Sequence, residues 1–488
     1  MHPNGIHHIA LVYCSCRGHE NVITDPIYAG WVPTSFVRIR TIFTAAVLDR
    51  FRHCNLEMRS SAYQFSQMLR RITNSLNPAR VVNLYQELRR LSRLWRWLKK
   101  LRWAGYAQKA GQPITPKPGE LGIFCPACPQ VGINIPDNWK DDPNSSWVFR
   151  RFLTVDGNFK VDHVRQKSAA DDMWLSDGLG MTTKRSEYIE FLKTAKERKT
   201  VSIHVFEWQW PYFPNQTAQC ENNFRAIEQA MRSSKACDIT GVVAVACARH
   251  GCFAPNSFVD LFRGEQQKNV DWSLLESIRT TRTDPKQGLM LFYDLACQYF
   301  VYLMWRIGHL LPIGLKIDWA IGLLHVHAHK EDCLFRFSPS FIPGTGVVAG
   351  EILESLWSGL NPITRASQTA TLAHRAEMID DHAADSNYKK ALGIGMVLCD
   401  RFRQSNDMVQ KTSLYYNQLS ATIPASFKNK WEKDIKSAEE RRLQDPAAMD
   451  IIGTQNIEVF PGQVPEQVAH SRVGTQWLNL ALSVEERQ

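Results

Sequence analysis

Three acidic positions are candidates for chemistry because of their surroundings. Asp156 stands at the end of an apolar run, just before Gly157, and Asp294 lies inside another, LFYDLAC. An unpaired carboxylate is costly to bury in such a place. Glu351 and Glu354, in GEILESLW, are three residues apart and would share one face of a helix. Carboxylates that converge from strand ends and a helix start can hold two Mg²⁺ or Mn²⁺ ions, which activate a water or a 3′-hydroxyl.

Spacing alone does not separate this interpretation from a simpler one. Each carboxylate could cap a turn or form an ordinary ion pair, and on spacing alone the simpler interpretation is favoured. Asp156 could serve an Asp-Gly turn. Glu354 could pair with a nearby arginine.

Cysteine and histidine residues form a second candidate site. Cys297 closes the run that contains the second aspartate, and His325, His329 and Cys333 follow at four-residue steps. Thiolate and imidazole groups with this spacing could form a tetrahedral Zn²⁺ site. Buried thiols and neutral imidazoles with local hydrogen bonds explain the pattern equally well. If the segment is a strand, alternation points His327 away from its two neighbours.

Two further cysteine pairs are candidate zinc ligands. Cys125 and Cys128 have the CxxC spacing of half a zinc knuckle, but the sequence shows no evident partner pair. Cys14 and Cys16 stand near the start of the chain, close to several histidines. Both pairs could equally be plain reduced thiols.

Length, composition and charge limit the classes of protein. The chain has 488 residues, with 58 Lys and Arg against 48 Asp and Glu, for a net charge of +10. Such an excess suits a polyanionic partner, although it does not identify one. The start lacks the pattern of a secretory signal. The most apolar stretch, 289–315, carries charges along its length, which argues against a membrane span. The 12 cysteines therefore suggest reduced thiols inside a cell.

The elements that must position these residues alternate between strands and helices. Strands are predicted within 148–164 (with a turn at 157–158), 241–251, 289–299 and 317–329, and a glycine-bearing loop then opens the helix of GEILESLW. Two helices are predicted between 41 and 75, and a charged helical tail from about 390. The pattern indicates an α/β fold of the α+β kind with a mixed sheet.

A basic helix is predicted over 80–109, in which Leu and Trp alternate with cations that include Arg93, Arg96, Lys99 and Lys100. One interpretation packs the aromatic stripe on the core and leaves the charges in solvent. The other places these four cations on the DNA backbone, and the two are compatible.

Several short sequence segments add a resemblance to a known protein family. The segments VDGNFKV, ACARHG, RGEQQKNVDW, YDLACQY, HVHAHKEDCLFRFSPSFIPGTG and GEILESLWSGLNPIT resemble, in this order, the core of Kyakuja-Dileera-Zisupton (KDZ) transposases. FCPACPQVGINIPDNW looks like the start of that core. NGIHHIALVYCSC resembles the end of the cysteine-cluster domain that accompanies these transposases. The resemblance covers roughly residues 4 to 400.

The resemblance implies an RNase H-like fold and a metal-dependent DDE active site. By position, the acidic triad is Asp156, Asp294 and Glu354, with Glu351 as the fallback, and it would hold Mg²⁺ or Mn²⁺. Cys14 and Cys16 would be the last ligands of a truncated cysteine cluster. The ACARHG segment offers two candidates for phosphate contact, and these are Arg249 and His250.

These expectations describe a DNA transposase, with a copy truncated at both ends as one form of it. Its partners would be transposon ends and target DNA, with a second copy of the chain as a further candidate, no membrane and no small-molecule cofactor. Nuclear residence follows from the DNA substrate. The expected divisions are 1–110, 111–147, 148–400 and 401–488. The alternatives are a transposon-derived DNA- or chromatin-binding protein that no longer cuts, and an unrelated nuclease on the same fold. Residues 200–213 have no functional account.

Overall fold

The structure is a computed structural model that describes residues 1–12, 24–108, 114–166, 172–196 and 236–449. The chain divides into two compact units, Met1–Pro424 and Ala425–Gln488. The helix that crosses position 400 is unbroken, so the first unit extends further than the predicted boundary there. The predicted four-part division otherwise stays a prediction.

The amino-terminal region is mostly helical, as the apolar spacing predicts. Its elements are α1 (Thr24–Tyr28), β1 (Trp31–Pro33), β2 (Ile42–Thr44), α2 (Ala45–Met58), α3 (Ala62–Thr73) and α4 (Tyr85–Trp103). The start of α2 is capped by Thr44, whose hydroxyl accepts from the backbone N–H of Val47. Ser61 and Gln64 form a capping box at the start of α3. The two helices predicted between 41 and 75, and the basic helix after them, are therefore confirmed.

The remaining strands include one five-stranded mixed sheet. The strands are β3 (Arg151–Asn158), β4 (His163–Val164), β5 (Cys237–Ile239), β6 (Gly241–Cys247), β7 (Val259–Leu261), β8 (Leu289–Phe292) and β9 (Ile317–Ala320). The large sheet has the order β7-β6-β3-β8-β9, and β4 pairs with β5 separately. The pairs β7/β6 and β6/β3 are antiparallel, whereas β3/β8 and β8/β9 are parallel.

Helices cover the sheet and continue beyond it. They are α5 (Ser145–Val148), α6 (Arg185–Thr194), α7 (Gln267–Thr280), α8 (Ala296–Tyr299), α9 (Leu303–Ile307), α10 (Leu323–Val326), α11 (Glu331–Phe337), α12 (Ile352–Leu360), α13 (Thr364–Ser367) and α14 (Leu372–Ala421). The second unit contains α15 (Ala425–Arg441). Among the described residues, no helix combines the length and apolar character needed to cross a membrane.

The side chains of β6 show how the sheet separates two cores. Val243 and Val245 point into the cluster that contains α7, while Val242 and Ala244 point into the cluster that contains α12 and part of α14. This is the alternation of a strand buried on both faces. In the antiparallel register Asp156 stands opposite Ala244, so it belongs to the side of α12.

Three local predictions are wrong in detail. Gly157 and Asn158 do not form a turn, because β3 continues through both and Asn158 pairs with Val242. Asp294 lies two residues after β8 rather than inside a strand. The segment 323–329 is a short helix and a turn, so strand alternation does not apply to His327.

Part of the basic face of α4 is buried against α14. Arg96 and Lys100 are each only 4% exposed, and they pair with Asp381 and Asp380 of α14. Arg93 forms a bidentate ion pair with Glu377, which also lies on α14. The charges of Arg93, Arg96 and Lys100 are thus engaged by acidic residues of the protein, and their predicted DNA contacts stay predictions.

The fourth predicted cation of α4, Lys99, has a separate partner. Its ammonium lies 2.9 Å from Asp49 Oδ1 and above the ring of Trp95. It therefore stabilises the contact between α4 and α2, and its DNA contact stays a prediction.

Candidate metal centre

The register of two neighbouring parallel strands brings the two predicted aspartates to the same level. Thr154 of β3 pairs with Phe292 of β8. Asp156 and Asp294 each follow two residues later, Asp156 still within β3 and Asp294 just beyond the carboxyl end of β8. This is the edge at which α/β sheets commonly place ligands. Gly350, just before α12, lies next to β3, because its carbonyl accepts a hydrogen bond from the hydroxyl of Thr154.

The carboxylate of Asp156 is held by its surroundings. The indole N–H of Trp357, on α12, donates to Asp156 Oδ2 at 2.7 Å, and the backbone N–H of Gly157 donates to Oδ1 at 2.7 Å. A Cβ at Gly157 would collide with the carboxylate of Glu265, so the glycine allows Glu265 to approach the strand. Glu265 accepts a 2.6 Å hydrogen bond from the hydroxyl of Tyr293.

A second group gathers around His325. Its Nδ1 lies 3.4 Å from Asp294 Oδ2, and its Nε2 lies 3.1 Å from Glu354 Oε1. One donor atom from each of these three residues lies within 4.8 Å of the other two, so the group could hold a metal ion. Asp156 is not in this group, although its charge interacts with those of Asp294 and Glu354.

The two glutamates of GEILESLW have different neighbours. Glu354 lies in the first turn of α12 and reaches His325. Glu351 precedes the helix, and its carboxylate accepts a hydrogen bond from the backbone N–H of Leu324 at the start of α10. A carboxylate at a helix start is favoured by the helix dipole. The geometry therefore favours Glu354 over Glu351 as the third metal ligand.

Burial and mutual repulsion weaken the acidity of the carboxylates. Burial, followed by the charges of Glu265 and Asp294, raises the pKa of Asp156 to about 8. Burial also raises the pKa of Glu265 to about 7 and that of Asp294 to about 6. The hydrogen bond with Glu354 is the main reason that the pKa of His325 rises to about 9.

The donor set fits a hard divalent cation. Asp156, Asp294 and Glu354 offer oxygen atoms, which Mg²⁺ and Mn²⁺ prefer. Within the described parts of the chain, none of the three forms an ion pair with a lysine or arginine. Several carboxylates that face one another without such a partner repel, and a bound cation relieves that repulsion.

Two family models match parts of this chain. The model of the Kyakuja-Dileera-Zisupton transposases matches residues 149–387. The model of the CxC2-like cysteine cluster associated with KDZ transposases matches residues 1–77. Residues 149–387 belong to the KDZ transposase family. The first match contains β3 to β9 and all the carboxylates above. No curated protein and no solved structure matches the chain.

Membership of the KDZ family suggests a transposase, and a transposase implies DNA as a partner and a divalent metal. The sequence analysis did not select Glu265 as a member of the acidic group. It stands in RGEQQKNVDW, one of the segments of the resemblance, between β7 and α7. The available signal was that a lone carboxylate follows a glycine at a strand-to-helix junction, and this signal is weak by itself.

The predicted zinc site of four residues is only partly assembled. Cys297, His329 and Cys333 place one donor atom each within 4.8 Å of the others, and the Cys297 thiol lies 3.5 Å from His329 Nδ1. His325 does not belong to this set, because its ring lies between Asp294 and Glu354. Zinc at the three remaining donors stays a prediction.

The ACARHG segment of the KDZ core is split between two environments. Arg249 stacks on the ring of Phe152 at 3.7 Å and lines a cavity of about 470 Å³ together with residues 345–352 and Arg401. His250 turns away from that cavity, and its Nδ1 lies 3.3 Å from the Cys125 thiol. The predicted phosphate contacts of Arg249 and His250 both stay predictions, although His250 is engaged by the cysteines.

Two predictions fall on residues outside the described parts of the chain. These are the zinc ligands Cys14 and Cys16, and the unexplained segment 200–213. The CxC2 match includes the first pair, but the geometry of that pair is not described.

Proposed function

We propose that this chain is a DDE-type transposase in which Asp156, Asp294 and Glu354 hold two divalent metal ions. The observation that carries the proposal is the convergence of these carboxylates at one sheet edge without a lysine or arginine to neutralise them within the described residues. Ordinary buried carboxylates are paired with cations, as those of α14 are. The acidic group is therefore suited to an external cation.

We further infer that the five-stranded sheet is an RNase H-like core. The mixed sheet supports this inference, because its central strand, β3, is antiparallel to β6 and parallel to β8. In this arrangement Asp156 lies on β3, Asp294 follows the end of the adjacent strand β8, and Glu354 lies on α12, which packs against β3. The resemblance in the KDZ segments points to the same fold.

The residues of the chain have separate tasks in this proposal. Asp156, Asp294 and Glu354 would hold the divalent metals, which would activate a water or 3′-hydroxyl and stabilise the departing oxygen of the DNA strand. Trp357 fixes the orientation of Asp156 through its hydrogen bond. His325 lies between Asp294 and Glu354, where its proton offsets their charges while no cation is bound, and its imidazole can serve as a nitrogen ligand.

The DNA strand would approach along the cavity that adjoins Glu351. Arg249 and Arg401 line this cavity, and the guanidinium of Arg401 donates to the carbonyl of Arg249 at 2.6 Å. Guanidinium groups beside a carboxylate cluster suit phosphate oxygens that reach the metal ions. With DNA as the substrate, the proposed site of action is the nucleus. A second copy of the chain would allow two transposon ends to be held together.

The direct test is nicking of supercoiled DNA with Mg²⁺ or Mn²⁺. Asp294→Asn is expected to lower the nicking rate by at least about a hundredfold, because one metal ligand is lost. Glu331→Gln removes one exposed carboxylate from α11 and is the matched control, with an unchanged rate expected. Equal rates for Asp294→Asn and the wild type would refute the assignment. The pair Glu351→Gln and Glu354→Gln decides which glutamate is the third ligand, and the larger loss is expected for Glu354.

Metal binding can be examined without DNA cleavage. Fe²⁺ with ascorbate cuts a polypeptide near a bound iron, and cuts are expected around Asp156, Asp294 and Glu354. Competition by Mg²⁺ should suppress them. A chain that binds DNA but shows no such cuts would instead be a transposon-derived binding protein that no longer cleaves.

A further inference from the structure

A compact set of soft donors lies away from the acidic group. Cys125 and Cys128 belong to the turn that precedes the sheet, and Cys247 is the last residue of β6. His250 follows in the tight connection where Gly251 has φ of +68° and Ala246 bridges to Phe253. One donor atom from each of these four residues lies within 4.8 Å of the other three. The fold thus supplies the partner pair that the sequence did not reveal for the CxxC motif.

We propose that Cys125, Cys128, Cys247 and His250 form a structural Zn²⁺ centre. Three thiolates and one imidazole are a common closed zinc set, and soft sulfur ligands exclude Mg²⁺ and Ca²⁺. With no free coordination position, the ion would stabilise the fold and would not take part in the DNA chemistry. The proposal is independent of whether the carboxylates cut DNA.

The distances suit a tetrahedral ion. Bond lengths of about 2.3 Å to sulfur and 2.0 Å to nitrogen put neighbouring donors roughly 3.5–3.8 Å apart. The Nδ1 atom of His250 lies 3.3, 3.9 and 3.4 Å from the sulfurs of Cys125, Cys128 and Cys247. The sulfurs of Cys128 and Cys247 are 2.9 Å apart, too far for a disulfide, and would separate by somewhat under 1 Å around an ion.

A buried guanidinium provides a second, independent indication. The side chain of Arg151 is fully buried and stacks on Phe124, and among the described residues it has no carboxylate partner. Its Nη2 donates to the carbonyl of Thr281, and among the described residues no oxygen or nitrogen accepts from its Nε or Nη1. The thiols of Cys128, Cys247 and Cys125 favour the charged guanidinium when they are ionised. A guanidinium stays charged in a protein. A zinc ion with three thiolates carries a net charge of −1, which Arg151 would balance.

The backbone around Cys247 supports a thiolate. The N–H of His250 donates to the Cys247 sulfur at 3.4 Å, and such hydrogen bonds orient and tune metal thiolates. The centre would fasten the segment before β3 to the end of β6, directly before Arg249. It therefore also holds the turn that presents Arg249 to the cavity beside Glu351.

The experiment measures bound zinc per chain in full-length protein purified under reducing conditions. Cys128→Ser and His250→Ala are each expected to lose one equivalent relative to the wild type, and His250→Cys to keep it. Cys252→Ser is the matched control, because Cys252 is buried beside Cys125 but is not one of the four grouped donors. It is expected to keep the equivalent. Unchanged zinc in Cys128→Ser would overturn the site, and loss in Cys252→Ser with retention in His250→Ala would overturn the ligand set.

A second measurement uses wild-type protein, so that a variant that fails to fold does not decide the matter. Slow alkylation with iodoacetamide is followed by peptide mapping and by the release of zinc. Modification of Cys125, Cys128 and Cys247 in step with the release of one equivalent supports the centre. Modification of these three cysteines without release of zinc contradicts it.

Discussion

Two groups of acidic residues lie inside this molecule, and they differ in what faces them. At the sheet edge, the charge of Asp156 interacts with those of Glu265 and Asp294, and the imidazole of His325 lies 3.4 Å from Asp294. On α14, Asp380 and Asp381 face Lys100 and the guanidinium groups of Arg52 and Arg96. Burial raises the pKa of the first group, whereas the surrounding cations lower the pKa of Asp381 despite its burial.

Two histidines show the same contrast. The hydrogen bond with Glu354 raises the pKa of His325 to about 9. Burial, followed by the charge of Arg59, lowers the pKa of His382 to about 3. The α14 group is electrically complete within the protein, and the sheet-edge group is not. A carboxylate cluster that the chain leaves without cations is a sign of a ligand, and one that the chain neutralises is a sign of a structural contact.

The largest effect on stability is expected when the buried ion pairs of the α14 group are removed. Asp381→Asn leaves Arg52 and Arg96 buried without their charge partner, which should cost about 3–5 kcal/mol of unfolding free energy. Urea unfolding measures the loss. Asp385→Asn, one turn later on α14, removes a partly exposed ion pair with Lys389 and is the control, with a change of at most about 1 kcal/mol. Similar losses in both variants would mean that the buried group has no special role.

At the sheet edge, a substitution is expected to lower the nicking rate strongly without lowering the free energy of unfolding. Asp294→Asn should reduce nicking by at least about a hundredfold, which corresponds to about 2.7 kcal/mol of activation free energy. Its unfolding free energy should not fall, because the change removes a carboxylate that repels its neighbours. Urea unfolding in the absence of divalent metal checks this point. A clear loss of stability would show that Asp294 is a structural residue like Asp381.

Much of this contrast could be predicted from the sequence. The apolar runs around Asp156 and Asp294 predict two strands, and the parallel pairing of these strands in the structure brings the two acids to the same level. The cations of α4 were recognised, but their partners were not, because Asp380 and Asp381 lie about 280 residues away in the sequence. No local pattern encodes such a pairing. The same limit concealed Cys247 and His250 as partners of Cys125 and Cys128.

The buried imidazole of His382 predicts a pH dependence of the free energy of unfolding. Folded His382 stays neutral down to about pH 3, whereas in the unfolded chain a histidine takes up a proton below about pH 6.5. The unfolded state therefore binds more protons between these values, and stability falls as the pH is lowered through 6.5. The contribution of His382 at pH 5 is a loss of about 2 kcal/mol relative to neutral pH. Urea unfolding of His382→Gln at both pH values should show a decline smaller by that amount, and an equal decline would contradict a buried neutral imidazole.

The smallest effect is expected from added metal. A ligand that binds only the folded state stabilises it by about 1.4 kcal/mol at ten times its dissociation constant. Mn²⁺ should therefore raise the melting temperature of the wild type by a few degrees, and it should not raise that of Asp294→Asn. Asp381→Asn melts at a lower temperature but should keep the Mn²⁺-induced rise, because its defect lies on α14. The rise could instead disappear in Asp381→Asn and persist in Asp294→Asn. This result would mean that Mn²⁺ binds the carboxylates of α14 and not those of the sheet edge, and it would contradict the distinction between the two groups.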